Sequence, residues 1–320
     1  MKPSIALLAA ALLAALPAQA QQYPNKPIRI VVPYAAGGTS DILARQIGPK
    51  LTDAWGQPVI VENKPGANGN VGAEFVAKSV PDGYTLLLTD LGGLVISASV
   101  YPKLPFNPSK DFSPVVMVSY SPHVLAVHPD VQVKDVKELV AMAKAHPGKL
   151  NFAVSGIGGA PQLAGIEFAQ RTGVNWTYIP YKGGSEAVTA VVAGQAHVLF
   201  NGMLATWPSV AGGKLRALAI SSAQRVPSAK DTPTVAEQGL PGFETGSYQG
   251  IVGAAGTPHE IVDKLNGALV KALNTQDMKE RFAKLGTDVR TGTPASLGAW
   301  LQTEQARWAK LIKDSGTKFE

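Results

Sequence analysis

Residues 29–41 read RIVVPYAAGGTSD and decide the fold class of this chain. The apolar run that ends at Pro33 is rich in β-branched residues, which predicts a buried strand. The glycine-rich loop behind it leads into a helical pattern, whose inward positions are Ile42, Leu43, Ile47 and Leu51. A strand, a glycine loop and a helix in this order form one unit of an α/β fold.

The same unit recurs along the chain. Its strand and loop ranges are 59–61 with 63–70, 84–88 with 89–93, 151–154 with 155–161, 176–179 with 180–185, and 196–200 with 201–202. Buried strands that alternate with helices predict parallel sheets with crossover helices. Because one set of units precedes Pro129 and a second set follows it, we expect two α/β domains.

The composition agrees with two folded domains. The chain has 320 residues, 45% of them hydrophobic, and 33 glycines, so it is too apolar for a disordered protein and too rich in glycine for a helical bundle. At roughly 100 to 200 residues per domain, this length corresponds to about two domains. The formal net charge is +6, but the basic residues are scattered and form no run that would bind nucleic acid.

Residues 1–20 have the pattern of a secretory signal peptide. Lys2 precedes an apolar run over 5–16, and Pro17-Ala18-Gln19-Ala20 then forms a small-residue cleavage site. Because the run is shorter than the ~20 residues that cross a bilayer, we expect a cleaved signal rather than an anchor helix, and a mature chain from Gln21. The absence of cysteine excludes disulfides and a lipid anchor on cysteine, so we expect a protein free in the periplasm and not embedded in the membrane.

The carboxyl-terminal third predicts a strand over 249–253, followed by helices. Thr257-Pro258-His259-Glu260 fits a capping box with proline at the first helical position. The segments 116–127 and 243–252 lie where one set of units gives way to the other, and we expect the chain to cross between domains there. In the last helix, a stripe at helical spacing is expected to be core: Leu297, Trp300, Leu301, Trp308, Leu311 and Ile312.

Two of the glycine loops are candidates for binding an anion. A loop between a parallel strand and a helix directs backbone N–H groups and the positive helix end toward the carboxyl edge of the sheet. The loop 34–41 has two glycines and two hydroxyl residues, although a turn with Ser40 as helix cap fits the same residues. The loop 155–162 has three glycines and one serine, and binding and turn formation fit it equally. Lys182, beside two glycines, either lies over an anion or is solvated.

Signatures of catalysis and of nucleotide binding are missing. The glycines of the third glycine-rich stretch, 66–72, are spaced by three and match neither G-x-G-x-x-G nor the phosphate loop. There is no G-x-S-x-G elbow and no H-E-x-x-H, and the five histidines never fall at i, i+4 spacing. We therefore expect a binding protein and not an enzyme, with a dispersed catalytic triad as the open alternative.

The ordered blocks 23–29, 33–41, 62–70, 81–86, 180–183 and 231–237 together resemble the Bug family, the periplasmic receptors of tripartite tricarboxylate transporters. The resemblance covers essentially the whole mature chain. It implies a type II periplasmic binding protein fold, with two Rossmann-like α/β lobes, a two-strand hinge and a cleft between them. Lobe 1 would comprise 21–122 and 247–320, and lobe 2 would comprise 123–246.

The resemblance also implies a function. The receptor would capture a small organic carboxylate by closing its lobes and deliver it to integral membrane transporter subunits, as a monomer without cofactor or metal. A ligand-loaded partner of a periplasmic sensor, and a hydrolase or lyase using the same cleft, are the alternatives.

The ligand contacts that the resemblance implies come from both lobes. Asp90 stands where the family commonly has a neutral residue, so it would disfavour a second carboxylate and could accept from an amino or ring N–H group. Gln162 stands where the family usually has histidine, so an imidazole contact or cap is lost. The full set is Tyr34, Ala36, Gly37, Gly38, Thr39, Ser40, Asp41, Thr89 and Asp90 in lobe 1, and Ser155, Gly156, Gly158, Gly159, Gln162, Lys182, Gly183 and Asn201 in lobe 2.

Overall fold

The computed structural model describes residues 23–315. The signal peptide predicted for 1–20 and the mature start at Gln21 lie outside the described residues. In chain order the elements are β1 (Ile28–Val32), α1 (Thr39–Trp55), β2 (Val59–Asn63), α2 (Asn70–Ala77), β3 (Thr85–Asp90), α3 (Leu91–Val100), β4 (Phe112–Val127), α4 (Val136–Ala145), β5 (Asn151–Val154), α5 (Ala160–Thr172), β6 (Thr177–Pro180), α6 (Gly184–Val192), β7 (Val198–Gly202), α7 (Met203–Ala211), β8 (Arg216–Ile220), β9 (Gly246–Ala254), α8 (His259–Leu273), α9 (Gln276–Lys284), β10 (Asp288–Val289) and α10 (Pro294–Ser315).

The strands form two sheets that share β4. In the first sheet, β2, β1 and β3 are parallel neighbours, and β9, β4 and β10 continue it in antiparallel pairs. In the second sheet, β6, β5 and β7 are parallel, and β4 pairs antiparallel with both β7 and β8. The strand-loop-helix units therefore supply the parallel part of each sheet, as predicted, and the antiparallel part comes from the strands that cross between sheets.

The strand β4 crosses from one sheet to the other without a break. Its residues 112–122 pair with β9 in the first sheet, and its residues 123–127 pair with β7 and β8 in the second. The returning chain crosses just before β9, because the N–H of Thr245 still donates to Ser221 O of the second lobe (3.0 Å), whereas Gly246 pairs with Pro122. We propose the lobe boundaries between 122 and 123 and between 246 and 247, where sequence analysis placed them.

Each lobe has its own core. In lobe 1, α1 and α8 pack on one face of the sheet around Leu43, Ile47 and Leu265, while α2, α3 and α10 cover the other face. In lobe 2, an aromatic cluster fills the core, with stacked ring pairs at 5.4 Å and 5.7 Å; its members are Phe152, Phe168, Trp176, Phe200 and Phe243. None of the described helices has the length and apolar character needed to cross a membrane.

One of two local predictions for the carboxyl-terminal helices needs correction. The capping box at 257–260 does not form, because the Thr257 hydroxyl donates to Ala254 O (2.7 Å) and helix α8 starts after Pro258 without a side-chain cap. The core stripe predicted in α10 is confirmed for the side chains that the structure describes: Leu297 and Leu301 are buried, and Trp300, Trp308 and Ile312 are partly buried and pack against the same cluster. The Leu311 side chain lies outside the described residues.

Replacing Phe168 with alanine is expected to lower the free energy of unfolding by about 3–5 kcal/mol, because a rigid aromatic cluster closes poorly around the void. The Phe168 ring is 0% exposed and packs against Trp176 and Phe243. Urea denaturation followed by circular dichroism measures the change. Phe75→Ala is the matched control: this ring is 38% exposed, so we expect a loss below about 1 kcal/mol. Equal losses in both variants would contradict the assignment of Phe168 to the core.

Candidate ligand-binding site

A cleft between the two lobes contains about 450 Å³ of space not filled by atoms, part of it open to solvent. Both lobes and the crossing strand β9 line it. The lining residues are Tyr34, Gly38, Thr39, Ser40, Asn68, Asp90, Gly93, Ser155, Gly159, Ala160, Pro161, Gly184, Asn201, Gly202, Ser247 and Gln249.

Four of the helices that begin at this cleft have a glycine in the N-cap position. The cap residues of α1, α5, α6 and α7 are Gly38, Gly159, Gly183 and Gly202, and no side chain at these positions hydrogen-bonds to the first turn. The first N–H groups of a helix have no partner inside the helix, and they carry the positive end of its dipole. Uncapped helix starts therefore offer fixed hydrogen-bond donors to an anion in the cleft.

Three of these helix starts meet at one end of the cleft, which we call the amide end. A Cβ on Gly202 would lie 2.9 Å from Thr39 Oγ1 of the other lobe, so the starts of α1 and α7 are close together. Ser185, in the first turn of α6, donates its hydroxyl to Ala36 O of lobe 1 (2.8 Å). The amide end is lined by Gly38, Thr39, Gly184, Asn201 and Gly202.

The opposite end of the cleft, the Asp90 end, has a different character. Asp90 Oδ1 accepts from the N–H of Gly93 (3.1 Å) and caps α3. Burial raises the pKa of the Asp90 carboxyl, and hydrogen bonds from Ser247, Gly93 and Gly92 offset part of this rise. Burial, followed by the nearby Asp90 charge, also raises the pKa of Tyr34. The Asp90 end is lined by Tyr34, Asn68, Asp90, Gly93, Gly159 and Ala160.

The crossing strands supply a polar floor to the cleft. Ser40 donates to Gln249 Oε1 (2.6 Å), and Gln249 lies opposite Asp90 in the β3–β9 pair. Ser247 Oγ lies 3.2 Å from His123 Nε2, and His123 Nδ1 lies 3.0 Å from the Thr245 hydroxyl. The floor therefore connects the cleft to buried polar groups at the lobe crossing.

The stability of the protein is expected to fall as the pH is lowered from about 6.5 toward 3, in part through His123. Burial lowers the pKa of His123 from its ordinary 6.5 to about 3. Between these values the unfolded chain binds a proton at His123 and the folded chain does not, so acid favours unfolding. Relative to His123→Gln, the wild type should lose roughly 1.4 kcal/mol more per pH unit in this window. Chemical denaturation at several pH values measures both slopes, and parallel slopes would contradict a buried, neutral His123.

The structure places eight of the residues selected from the sequence in the cleft lining. They are Tyr34, Gly38, Thr39, Ser40, Asp90, Ser155, Gly159 and Asn201. All lie at or just beyond the carboxyl ends of parallel strands, where the two sheets face each other. Their contact with a ligand stays a prediction.

The remaining residues of the first loop lie outside the lining. Ala36 and Gly37 are exposed. Asp41 is buried and faces away from the cleft: its carboxylate accepts from Gly37 N (2.9 Å), Asn63 Nδ2 (3.0 Å) and Arg45 Nε (3.0 Å). Burial would raise the pKa of Asp41, but these hydrogen bonds and the Arg45 charge hold it below its ordinary value. These hydrogen bonds of Asp41 thus stabilise the conformation of the loop that contains Gly38.

Gln162 and its neighbours stabilise the second glycine loop, 155–162, in a similar way. Gln162 Oε1 accepts from the N–H of Gly158 (2.5 Å), so its side chain holds the turn and lies outside the cleft lining. Gly158 and Gly156 have φ values of +77° and +129°, which favour glycine. A Cβ on Gly156 would lie 2.6 Å from Asn68 Oδ1 of lobe 1, so this glycine permits the lobes to approach.

The other three selected residues also lie outside the lining. Thr89 is buried, with Oγ1 3.4 Å from the Tyr34 hydroxyl. Lys182 is exposed, and its backbone carbonyl accepts from Ala35 N (3.4 Å). Gly183 is buried against Tyr34 and Ala35, where a Cβ would lie 3.1 Å from the Ala35 nitrogen. These contacts join the lobes but place no side chain in the cleft.

Half of the lining residues were not selected individually from the sequence, although Ala160 and Pro161 lie in the candidate loop 155–162. The missed residues are Asn68, Gly93, Ala160, Pro161, Gly184, Gly202, Ser247 and Gln249. For Asn68, the sequence feature that could have indicated a functional position is the third glycine-rich stretch, 66–72, in which it lies. Asn68 adopts the left-handed conformation (φ 55°, ψ 34°), which asparagine tolerates. Its buried Nδ2 makes no hydrogen bond to any described residue. Ser247 and Gln249 carry no local signal, because the pairing of β9 with β3 and β4 brings them to the cleft.

A metal site is not apparent in this part of the chain. Among residues 23–315, no group of three or more histidine, aspartate or glutamate side chains is arranged to hold a metal ion.

Two α/β lobes joined by crossing strands, with helix starts facing a shared cleft, define the class of two-lobed solute-binding proteins. Residues 43–317 match the family model of the tripartite tricarboxylate transporter family receptor. The chain therefore belongs to this receptor family.

Individual relatives agree with the family assignment. Protein BugT of Bordetella pertussis (strain Tohama I) is 35% identical over 307 residues, which cover 96% of this chain and 94% of BugT. The solved periplasmic binding protein BugD is 34% identical with a TM-score of 0.89, covering 92% of this chain and 99% of BugD. MatC from Rhodopseudomonas palustris, solved with bound malate, is 33% identical with a TM-score of 0.86, covering 91% of this chain and 100% of MatC.

These findings confirm the predicted Bug-family resemblance and the two-lobe periplasmic binding protein fold. The family and these neighbours are binding proteins rather than enzymes. The chain is therefore a solute-binding receptor of the periplasmic binding protein type.

Proposed function

We propose that this receptor captures a small organic carboxylate in the periplasm by closing its lobes and delivers it to the membrane subunits of a tripartite tricarboxylate transporter. One observation carries the proposal: four uncapped helix starts from both lobes converge on one cleft, and no lysine, arginine or histidine side chain is among the residues that line it. Malate bound to MatC supports a carboxylate as the ligand.

The amide end suits a carboxylate for electrostatic reasons. Backbone N–H groups held by the helices need no reorganisation when the anion arrives, and they bring no competing counter-ion into the cleft. Hydrogen bonds to a charged group contribute about 1.5–3 kcal/mol each. Several such bonds reach the roughly 8 kcal/mol of a micromolar complex after the costs of ordering are subtracted.

Lobe closure follows from the position of these donors. Gly38 belongs to lobe 1, whereas Gly159 and Gly202 belong to lobe 2, so one ligand gains both sets of donors only when the lobes are together. Protein contacts already join the lobes in this conformation, including Ser185 Oγ to Ala36 O (2.8 Å) and Tyr101 OH to Ile157 O (2.9 Å). The ligand would shift the open-to-closed equilibrium by its difference in affinity for the two states.

The closed surface is what the membrane subunits would recognise. A periplasmic sensor would bind the same surface. No contact among the described residues favours a sensor over the transporter subunits as the partner.

The hydrolase alternative rests on one pair of side chains, Ser247 and His123. The second ring nitrogen of His123 contacts the Thr245 hydroxyl and no carboxylate, so the ring lacks the orienting group of a catalytic triad. Its pKa of about 3 also makes it a weak general base at neutral pH. This pair suits a structural role at the lobe crossing.

Ligand identification tests the proposal. Mass spectrometry of acids that co-purify with the protein, followed by calorimetry with a panel of dicarboxylates, citrate, aromatic acids, amino acids and nicotinate, should identify at least one ligand. That ligand should raise the melting temperature as mass action requires. An NMR spectrum after long incubation should show the acid unchanged. Turnover of the acid, or binding of no acid in the panel, would overturn the proposal.

A further inference from the structure

We propose that the cleft selects acids that also carry an ammonium group, with the carboxylate at the amide end and the ammonium group on Asp90. This inference rests on the proposed function and names the ligand class of the same site. It predicts that an amino acid with an acidic side chain binds more tightly than the dicarboxylate of the same length that lacks the ammonium group.

The first step is the charge of the cleft. Asp90 is the only carboxylate among the residues that line it, and it is 8% exposed. Its hydrogen-bond donors are all uncharged: the Gly93 and Gly92 N–H groups and the Ser247 hydroxyl. These hydrogen bonds offset only part of the cost of burying the carboxylate, because its pKa stays raised, and none of the donors carries a counter-charge. A cationic group on the ligand would supply the counter-charge that no lining side chain provides.

The second step is the separation of the two ends. At the amide end, the start of α1 contacts the starts of α6 and α7. At the Asp90 end, the start of α3 and Asn68 contact the start of α5: a Cβ on Gly92 would lie 3.8 Å from Ala160 Cβ, and one on Gly159 would lie 2.9 Å from Asn68 Oδ1. A ligand that spans the cleft therefore meets the starts of α1, α6 and α7 at one end, and Asp90 together with the starts of α3 and α5 at the other.

The third step is the free donor beside Asp90. Asn68 Nδ2 is buried and unpartnered among the described residues, and it lies 3.7 Å from the Cβ position of Gly93, whose N–H binds Asp90. A head group with an ammonium donor next to a carboxylate oxygen would satisfy Asp90 and Asn68 together. An amino acid with a second carboxylate matches both ends of the cleft.

The surrounding titratable groups leave Asp90 as the residue that decides this preference. Tyr34 shares its end of the cleft and stays neutral, because burial raises its pKa. His123 lies behind Ser247, and burial keeps it neutral above about pH 3. The remaining charges line a second cavity that begins behind Gly92 and Ala160; they are Glu167, Glu244, Glu304 and Arg307.

Calorimetry with two matched ligand pairs tests the inference: aspartate against succinate, and glutamate against glutarate. In the wild type at neutral pH, we expect the ammonium-bearing member of at least one pair to bind about tenfold or more tightly. In Asp90→Asn this preference should vanish or reverse, because the ammonium group loses its counter-charge and a second carboxylate is no longer repelled. Asparagine caps a helix as well as aspartate does, so α3 should keep its start.

Two controls keep the test decisive. Asp263→Asn removes an exposed carboxylate on α8 that is not among the residues lining the cleft, and it should leave both preferences unchanged. Thermal melting without ligand verifies folding, and Asp90→Ser, which keeps a capping hydroxyl, replaces Asp90→Asn if that variant does not fold. If the wild type binds the dicarboxylates as tightly and Asp90→Asn leaves the ratio unchanged, the inference fails while the proposed function stands. If no member of a broad carboxylate panel binds, both fail.

Discussion

Gly38→Asp should lower the affinity for any carboxylate ligand by about 100-fold or more, because it removes two or more charge-assisted hydrogen bonds. Gly38 is the N-cap of α1 in extended conformation (φ −78°, ψ 171°), and aspartate is a favoured residue there. The new carboxylate would accept from the N–H groups of the first turn, which are the donors proposed for the ligand. The introduced carboxylate would therefore fill the site proposed for the carboxylate of the ligand.

The stability of the ligand-free protein separates this effect from misfolding. A Cβ at position 38 would lie no closer than 3.4 Å to any neighbour, at Ala35 O, so the substitution fits. The melting temperature without ligand should stay within a few degrees of wild type or rise, because an N-cap aspartate stabilises the helix. Calorimetry with an identified ligand measures the loss of affinity.

Two further variants serve as controls for Gly38→Asp. Gly267→Asp introduces the same charge on α8, at a position where a Cβ meets nothing within 4 Å, and should bind normally. Gly38→Ala adds a Cβ without a carboxylate and should keep most of the affinity. Normal binding by Gly38→Asp would show that the start of α1 is not the carboxylate site.

Gly159→Val should also reduce affinity by about 100-fold, but by preventing lobe closure rather than by occupying a donor. Gly159 has an ordinary backbone conformation (φ −78°), so valine introduces no local strain. Its Cβ would lie 2.9 Å from Asn68 Oδ1 of the facing lobe, and its methyl groups would extend further toward that side chain. The clash exists only when the lobes are together, so the open form is unaffected.

Small-angle scattering is the direct measurement for this variant. Saturating ligand should decrease the radius of gyration of the wild type and leave that of Gly159→Val unchanged, while Gly267→Val, in open space on α8, should behave as wild type. Adding Asn68→Ala to Gly159→Val removes the colliding atoms and should restore part of the compaction. Ligand-induced compaction of Gly159→Val equal to wild type would contradict the proposed closing contact.

The strand-loop-helix units could be predicted from the sequence because the residue patterns that define them are local. The run 29–33, the loop behind it and the apolar positions of α1 are contiguous in the chain, and hydrophobic periodicity and glycine chemistry act over that range. Loops that follow parallel strands share one edge of a sheet, so the loops of Gly38 and Gly159 could each be predicted as candidates for anion binding at a sheet edge, whereas a shared cleft was implied only by the family resemblance.

The direction in which each side chain of those loops points could not be predicted from the sequence. Thr39, Ser40 and Asp41 are consecutive, yet Thr39 and Ser40 line the cleft while Asp41 points to Arg45 and Asn63. The difference depends on which partners surround each side chain after the loop has folded. Asp90 was singled out as an acid near the pocket, but its buried position opposite Gln249 depends on the pairing of β3 with β9.

The sequence by itself determined the α/β units, the glycine loops before the helices and the family resemblance, because each depends on residues close together in the chain. Only the tertiary structure decided which of those residues face one another. The bond between Ser40 and Gln249 spans 209 residues, and the contact of Asn68 with Gly159 joins two lobes. The character of the cleft, with the starts of α1, α6 and α7 at one end and Asp90 with the starts of α3 and α5 at the other, arises from these long-range pairings, and no local pattern in the chain predicts it.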